Sequence, residues 1–230
     1  MATRIENVLR EFGYARHLVL LISLLLLFLL SPLVAAARYG TVVINSAGVI
    51  VLLSGIYAMS EQRRLFVVAL IGSVAAIATN LLMVVFQSEW FAIAWHGFTL
   101  LLFSLFSVGI LRDVLRRGQI STDKICGAIC VYLLIGFAWA FGYGLIEFIN
   151  PGSFSGLAQT GTNNRVGRIM QLRYFSFATL TTLGFGDILP RTPVARTLAT
   201  LEAVTGQIYL TVLIARLVGL HIVHASSRHD

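Results

Sequence analysis

The chain has 230 residues, of which 57% are hydrophobic and 12% charged, with a formal net charge of +7 and a mean hydropathy of +0.86. Soluble globular domains carry about a quarter charged residues, so this composition excludes that class and implies an integral membrane protein. No nucleophile–base pair, metal-ligand cluster or phosphate-binding loop appears in the sequence, so an enzyme is not expected.

Five charge-free intervals come first: 17–37, 39–60, 65–88, 90–111 and 125–146, of 21, 22, 24, 22 and 22 residues. Each matches the roughly 20 residues that carry an α-helix across a bilayer core. None alternates strictly, which disfavours barrel strands. The first interval, with Arg10 and Arg16 before it and Pro32 and VAAA (34–37) near its end, also fits a signal peptide. Its long polar lead favours a retained helix. Asn45 and Asn80 are expected to bond between helices, and His96 is expected to be a neutral imidazole in the fourth span. Cys126 and Cys130 sit four apart on one helix face and read as small packing residues, not as metal ligands.

Basic residues mark one side of this arrangement. Arg4, Arg10 and Arg16 precede the first span, Arg63 and Arg64 fill the 2–3 loop, and Arg112, Arg116, Arg117 and Lys124 fill the 4–5 loop. Arg38 alone lies in the first opposite loop. The bias places both termini in the cytoplasm. The positive charge then suits anionic lipid headgroups, with no need for nucleic acid. A plasma membrane, prokaryotic by the compactness of the chain, is the expected location.

Residues 150–189 break the pattern. A polar loop, NPGSFSGLAQTGTNNR, leads into YFSFATLTT (174–182), which is apolar enough to enter a membrane but too short to cross it. Glycine-punctuated backbone follows, as in a re-entrant segment, which is tolerated at membrane depth only when buried in protein or lining water. Thr192-Pro193 then opens a last helix with a capping hydroxyl and a proline at its first position. It carries Arg196, Glu202 and Arg216, and its ends are expected in polar surroundings.

The fold expected is therefore all-α integral membrane: six transmembrane helices, with a re-entrant pore helix and a filter loop between helices five and six. Two units are predicted, a four-helix region over 1–117 and a pore unit over 123–230. The second comprises an outer helix near 124–148, a pore helix near 171–182, a filter at 182–187 and an inner helix near 193–223.

The stretch TTLGFGD (181–187) suits the dehydration of a cation. Backbone carbonyls can replace water oxygens when they face one way, which requires alternate residues to adopt mirror-image dihedrals open to glycine. Gly184 and Gly186 alternate with Leu183 and Phe185 in this manner, and Thr182 adds a hydroxyl. One chain supplies one wall, so a closed ring needs several copies.

Here the sequence resembles the potassium-channel family, whose filters are built from four TVGYG loops. The matching residues are Thr182, Leu183, Gly184, Phe185 and Gly186, preceded by Thr181 and followed by Asp187. The resemblance implies a homotetramer, K+ as the permeant ion and no other cofactor. Tyr174 matches the aromatic position that bonds the aspartate after the filter in that family. Leu183 and Phe185 depart from the family's Val and Tyr, and loss of the tyrosine hydroxyl implies a looser brace. Ala178 stands where some bacterial members carry a glutamate. Gly206, 19 residues after Asp187, falls near the family's hinge glycine. Bending there would align Gln207, Leu210, Ile214 and Val218 on one stripe, as an inner pore and gate or as a face for lipid contact or helix packing.

Four helices before the pore resemble the six-helix voltage-gated group in number only. A voltage sensor needs arginines within the field, at about 2.3 kcal/mol per charge per 100 mV, and 90–111 contains none. A channel without conventional voltage gating is expected. The rivals are a weakly selective cation channel and a transporter subunit, although no inverted repeat is evident.

Overall fold

The computed structural model describes residues 16–34, 39–86, 88–116, 122–157 and 164–226. Seven helices form among them: α1 (Arg16–Val34), α2 (Gly40–Ala58), α3 (Arg63–Phe86), α4 (Glu89–Val114), α5 (Thr122–Ile149), α6 (Asn164–Leu180) and α7 (Pro193–Ser226). Five of them are long and apolar enough to cross a membrane: α1, α3 over Arg63–Met83, α4, α5, and α7 over Pro193–Arg216. The apolar stretch of α2, Val42–Ala58, is shorter. The protein is helical, with the long apolar helices of a multi-pass membrane protein. Arg4, Arg10, Arg38 and Arg117 lie outside the described residues.

Two features modify the all-α expectation. A two-residue strand β1 (Phe154–Ser155) pairs antiparallel with β2 (Leu189–Pro190), in the register Phe154 to Pro190 and Ser155 to Leu189. This clasp ties the loop after α5 to the segment before α7. The α6 helix also runs from Asn164 to Leu180, beginning seven residues before the predicted 171 and ending two before the predicted 182. Apolar composition marked only the part able to enter a membrane, whereas the polar turn around Asn164–Arg168 continues the same helix.

The main core runs across the predicted boundary between the two units. Leu20 and Leu24 of α1, Phe103 and Phe106 of α4, and Leu134 and Phe137 of α5 belong to one buried cluster. Phe103 stacks on Phe137 and on Phe141, each at 5.6 Å between centroids. Such ring pairs contribute about 0.5–1.5 kcal/mol beyond the area they bury. A second cluster packs Tyr143, Phe154, Leu172, Phe175 and Ala195 between α5, β1, α6 and α7. It seats α6 against its neighbours.

Polar contacts pin the helix ends. His17 is buried, with its backbone N–H and Nδ1 on the two oxygens of Asp123, at 3.0 and 2.7 Å. This joins α1 to the start of α5. Arg216 of α7 donates to the carbonyls of Leu115 and Arg116, at 2.5 and 3.4 Å, so the C-terminal half of α7 is tied to the α4–α5 linker. His96 is buried, as expected, with Nδ1 2.8 Å from the Ala92 carbonyl oxygen and its ring among Trp95, Phe141 and Phe148. Among the described residues Asn45 and Asn80 make no interhelical hydrogen bond, contrary to expectation. Ser23 and Ser54 fill that role instead, their hydroxyls 2.7 Å apart between α1 and α2.

Candidate functional site

The loop from Thr181 to Ile188 starts where α6 stops, and its backbone explains the stop. Thr182 N–H bonds to the Thr179 carbonyl at 2.9 Å and Leu183 N–H to the Ala178 carbonyl at 2.8 Å. Thr182 itself is left-handed, with φ of 59°. These are the two bonds and the left-handed residue of a Schellman ending, in which the left-handed position is usually glycine. A β-branched residue there is a genuine outlier, and strain of this kind concentrates at functional sites.

Gly184 and Gly186 follow with φ of 56° and 80°, whereas Leu183 and Phe185 between them keep ordinary negative values. Every second residue from 182 to 186 is therefore left-handed. No atom lies within 4 Å of a Cβ built on either glycine, so at both positions the backbone dihedral, and not crowding, calls for glycine. Thr181 through Asp187 are all exposed on the isolated chain, and Leu183 and Phe185 are 59% and 63% exposed.

The predicted supports fall around this loop. Tyr174 of α6 lines the same recess as Asp187, behind the loop. The ring of Phe185 stacks on Tyr174, 6.0 Å between centroids and 10° from parallel. The missing tyrosine hydroxyl is thus matched by a ring-on-ring brace. Thr181 turns its hydroxyl back onto the Phe177 carbonyl at 2.6 Å. Ala178 lines the recess behind the loop with Tyr174, Gly184 and Asp187, so no carboxyl faces Asp187 from that position.

On α7, Gly206 is buried and packs directly against the end of α6; a Cβ there would overlap the Leu180 carbonyl oxygen. Gln207 is exposed and reaches the loop, its Nε2 3.5 Å from Thr182 Oγ1. Leu210 is half-buried and Ile214 exposed, while the side chain of Val218 lies outside the described residues.

A family model described as "Ion channel" matches residues 125–220. This segment is similar to that ion-channel family. No curated protein and no solved structure matches the chain.

The channel segment holds residues that sequence reasoning passed over. Gly156, with φ of 85°, lies so close to the loop that a Cβ would overlap the Asp187 carbonyl oxygen. A glycine in a polar loop is only a weak sign of this approach. Glu147 is buried at the end of α5, its oxygens accepting the N–H groups of Gly152 and Phe154 at 3.0 and 3.2 Å. Arg173 donates to Ser31 Oγ at 3.0 Å and lies over the rings of Phe28 and Phe137, so it links α6 to α1. Glu202, read as one of the polar-end charges of α7, is instead fully buried. Tyr143 and Ser176 bond to it. Its partners come from α5 and α6, which no spacing within α7 could reveal.

The left-handed threonine makes a prediction. Thr182→Gly should change thermal stability by no more than about 1 kcal/mol. Relief of about 1–2 kcal/mol of left-handed strain is offset by the greater freedom of glycine in the unfolded chain. Where the loop lines a cation path, K+ over Na+ discrimination should nevertheless fall, because a hydroxyl at the start of the loop is lost. Melting curves and reversal potentials of the same preparation test both halves.

Proposed function

We propose that the chain is one subunit of a homotetrameric channel that conducts K+ passively through a ring of four 182–187 loops. The alternation of left-handed backbone at Thr182, Gly184 and Gly186 carries this reading. It is the pattern that lets successive carbonyls serve one axis, with the Thr182 hydroxyl at its inner end. The exposed faces of the loop and of α7, where Val204, Ile208 and Val212 are about half exposed, suit burial against further copies. Thr181, Tyr174 and Asp187 act as supports. Gln207, Leu210, Ile214 and Val218 line the inner pore.

The first four helices serve as a scaffold in this reading, not as a voltage sensor. Arg112 is in the last turn of α4, and the membrane-crossing part of that helix carries no arginine. Both termini are cytoplasmic, and the basic loops face anionic headgroups of a prokaryotic plasma membrane. The permeant ion is the only ligand required.

Reversal potentials in proteoliposomes with opposed K+ and Na+ gradients test the function. A potential close to the K+ equilibrium value is expected, with little change in conductance across voltage. A reversal near zero would replace the proposal with a weakly selective cation channel. That second reading has one observation in its favour, the exchange of a hydroxyl-bearing ring for Phe185. Slow saturable transport without single-channel steps would point to a transporter subunit instead.

A further inference from the structure

Glu202 is the deepest carboxyl in the channel segment, fully buried on α7 between α5 and α6, as are both of its partners, Tyr143 and Ser176. The Tyr143 hydroxyl bonds to Oε2 at 2.5 Å. Ser176 Oγ lies 2.5 Å from Oε1 and also 2.7 Å from the Gly136 carbonyl oxygen of α5. These three oxygen–oxygen contacts are short enough that each needs a hydrogen between its atoms.

Counting those hydrogens decides the state of the carboxyl. Tyr143 has one hydroxyl hydrogen, Ser176 has one, and the Gly136 carbonyl has none. Were Glu202 ionised, two hydrogens would serve three contacts, and one pair of buried oxygens would face each other unbridged. With a proton on Oε1 the count closes. Glu202 donates to Ser176 Oγ, Ser176 donates to the Gly136 carbonyl, and Tyr143 donates to Oε2. Charge points the same way. Arg173, one turn before Ser176 on α6, is engaged with Ser31, Phe28 and Phe137, and among the described residues no salt bridge reaches Glu202. The other titratable group facing it is Tyr132 of α5, whose hydroxyl donates to the Leu180 carbonyl at 3.4 Å. An ionised carboxylate here would be buried without a counter-charge, which is strongly unfavourable.

We infer that Glu202 is held as a neutral carboxylic acid and is a positioning residue for the 182–187 loop, a protonated clasp binding α5, α6 and α7 behind it. Ser176 stands six residues before Thr182 on α6, so the clasp fixes the helix whose end sets the loop. Loss of the proton leaves one contact repulsive and frees α6 from α5 or from α7. Conduction therefore declines as pH rises through the titration of this acid, and not on acidification.

The test uses the full-length protein, wild type and Glu202→Gln, reconstituted in vesicles of one lipid composition. The first readout is infrared difference spectroscopy at neutral pH, where a protonated carboxyl shows a carbonyl band distinct from that of a carboxylate. The expected result is an acid band in the wild type that Glu202→Gln removes. The second is K+ flux against pH: wild-type flux falls on the alkaline side, whereas Glu202→Gln matches the wild type at neutral pH and lacks that fall. An amide offers one donating and one accepting side, like the neutral acid, so Glu202→Gln should assemble. Failure to assemble overturns the inference, as does a wild-type spectrum without the Glu202 acid band, or an alkaline fall that persists in Glu202→Gln. The flux readout rests on the proposed function, but the infrared readout does not. The expected band with no K+ flux in the wild type would uphold the neutral acid and sink the channel reading alone.

Discussion

Gly184→Ala is expected to abolish K+ conduction while the protein still folds and assembles. Gly184 has φ of 56°, and nothing lies within 4 Å of a Cβ built there. The substitution therefore meets no steric obstacle in the surrounding protein. Its whole effect arises in the backbone, where an L-residue held left-handed costs about 1–2 kcal/mol. That cost is small against the packing of α5, α6 and α7, which continues to hold the fold. It is large against the loop, whose residues 181–187 are exposed on the isolated chain and whose 183–184 peptide is held by one backbone hydrogen bond, Gly184 N–H to the Ala178 carbonyl at 3.1 Å. In the proposed tetramer, one reversed carbonyl in each of four copies removes a full ring of ligands. The measurement is K+ flux together with size-exclusion behaviour: lost flux at unchanged oligomeric size is the expected pair. Unchanged flux would show that the loop does not line the path.

The same loop shows how far the sequence could be read. The need for alternating dihedrals was legible because glycine announces a left-handed position directly, and Gly184 and Gly186 are both left-handed. The third left-handed position was not legible as such, since a threonine announces nothing of the kind. Thr182 is held there by the Schellman bonds of α6, a property of where the helix ends. Long apolar intervals located the helices because membrane insertion is set by local composition. The start of α6 at Asn164 was missed for the same reason, being polar and outside any apolar interval. Glu202 was misplaced because one carboxyl in a long helix reads as an end charge until Tyr143 and Ser176, 59 and 26 residues away, are brought to it. Local chemistry was readable along the chain, whereas satisfaction of a buried polar group depends on contacts that only folding makes.

Gly206→Ala separates two accounts of a glycine in the middle of α7. On the hinge account the residue matters for bending, and alanine should stiffen the helix. Helix propensity alone would then stabilise the protein by about 1 kcal/mol, and conduction would persist with altered gating. On the packing account the residue matters for close approach. The atom that a Cβ would overlap is the carbonyl oxygen of Leu180, at the end of α6 and two residues before Thr182. A flexible side chain could swing aside, but this oxygen belongs to the last turn of α6, and Tyr132 also donates to it. Overpacking of this kind costs about 1–3 kcal/mol, which outweighs the gain in propensity. The expected result is a lower melting temperature together with reduced K+ flux, as α7 is pushed away from the base of the loop. Gln207 should lose its approach to Thr182 in the same movement, so discrimination against Na+ should fall along with the flux. A higher melting temperature with K+ selectivity intact would instead return Gly206 to the role of a hinge.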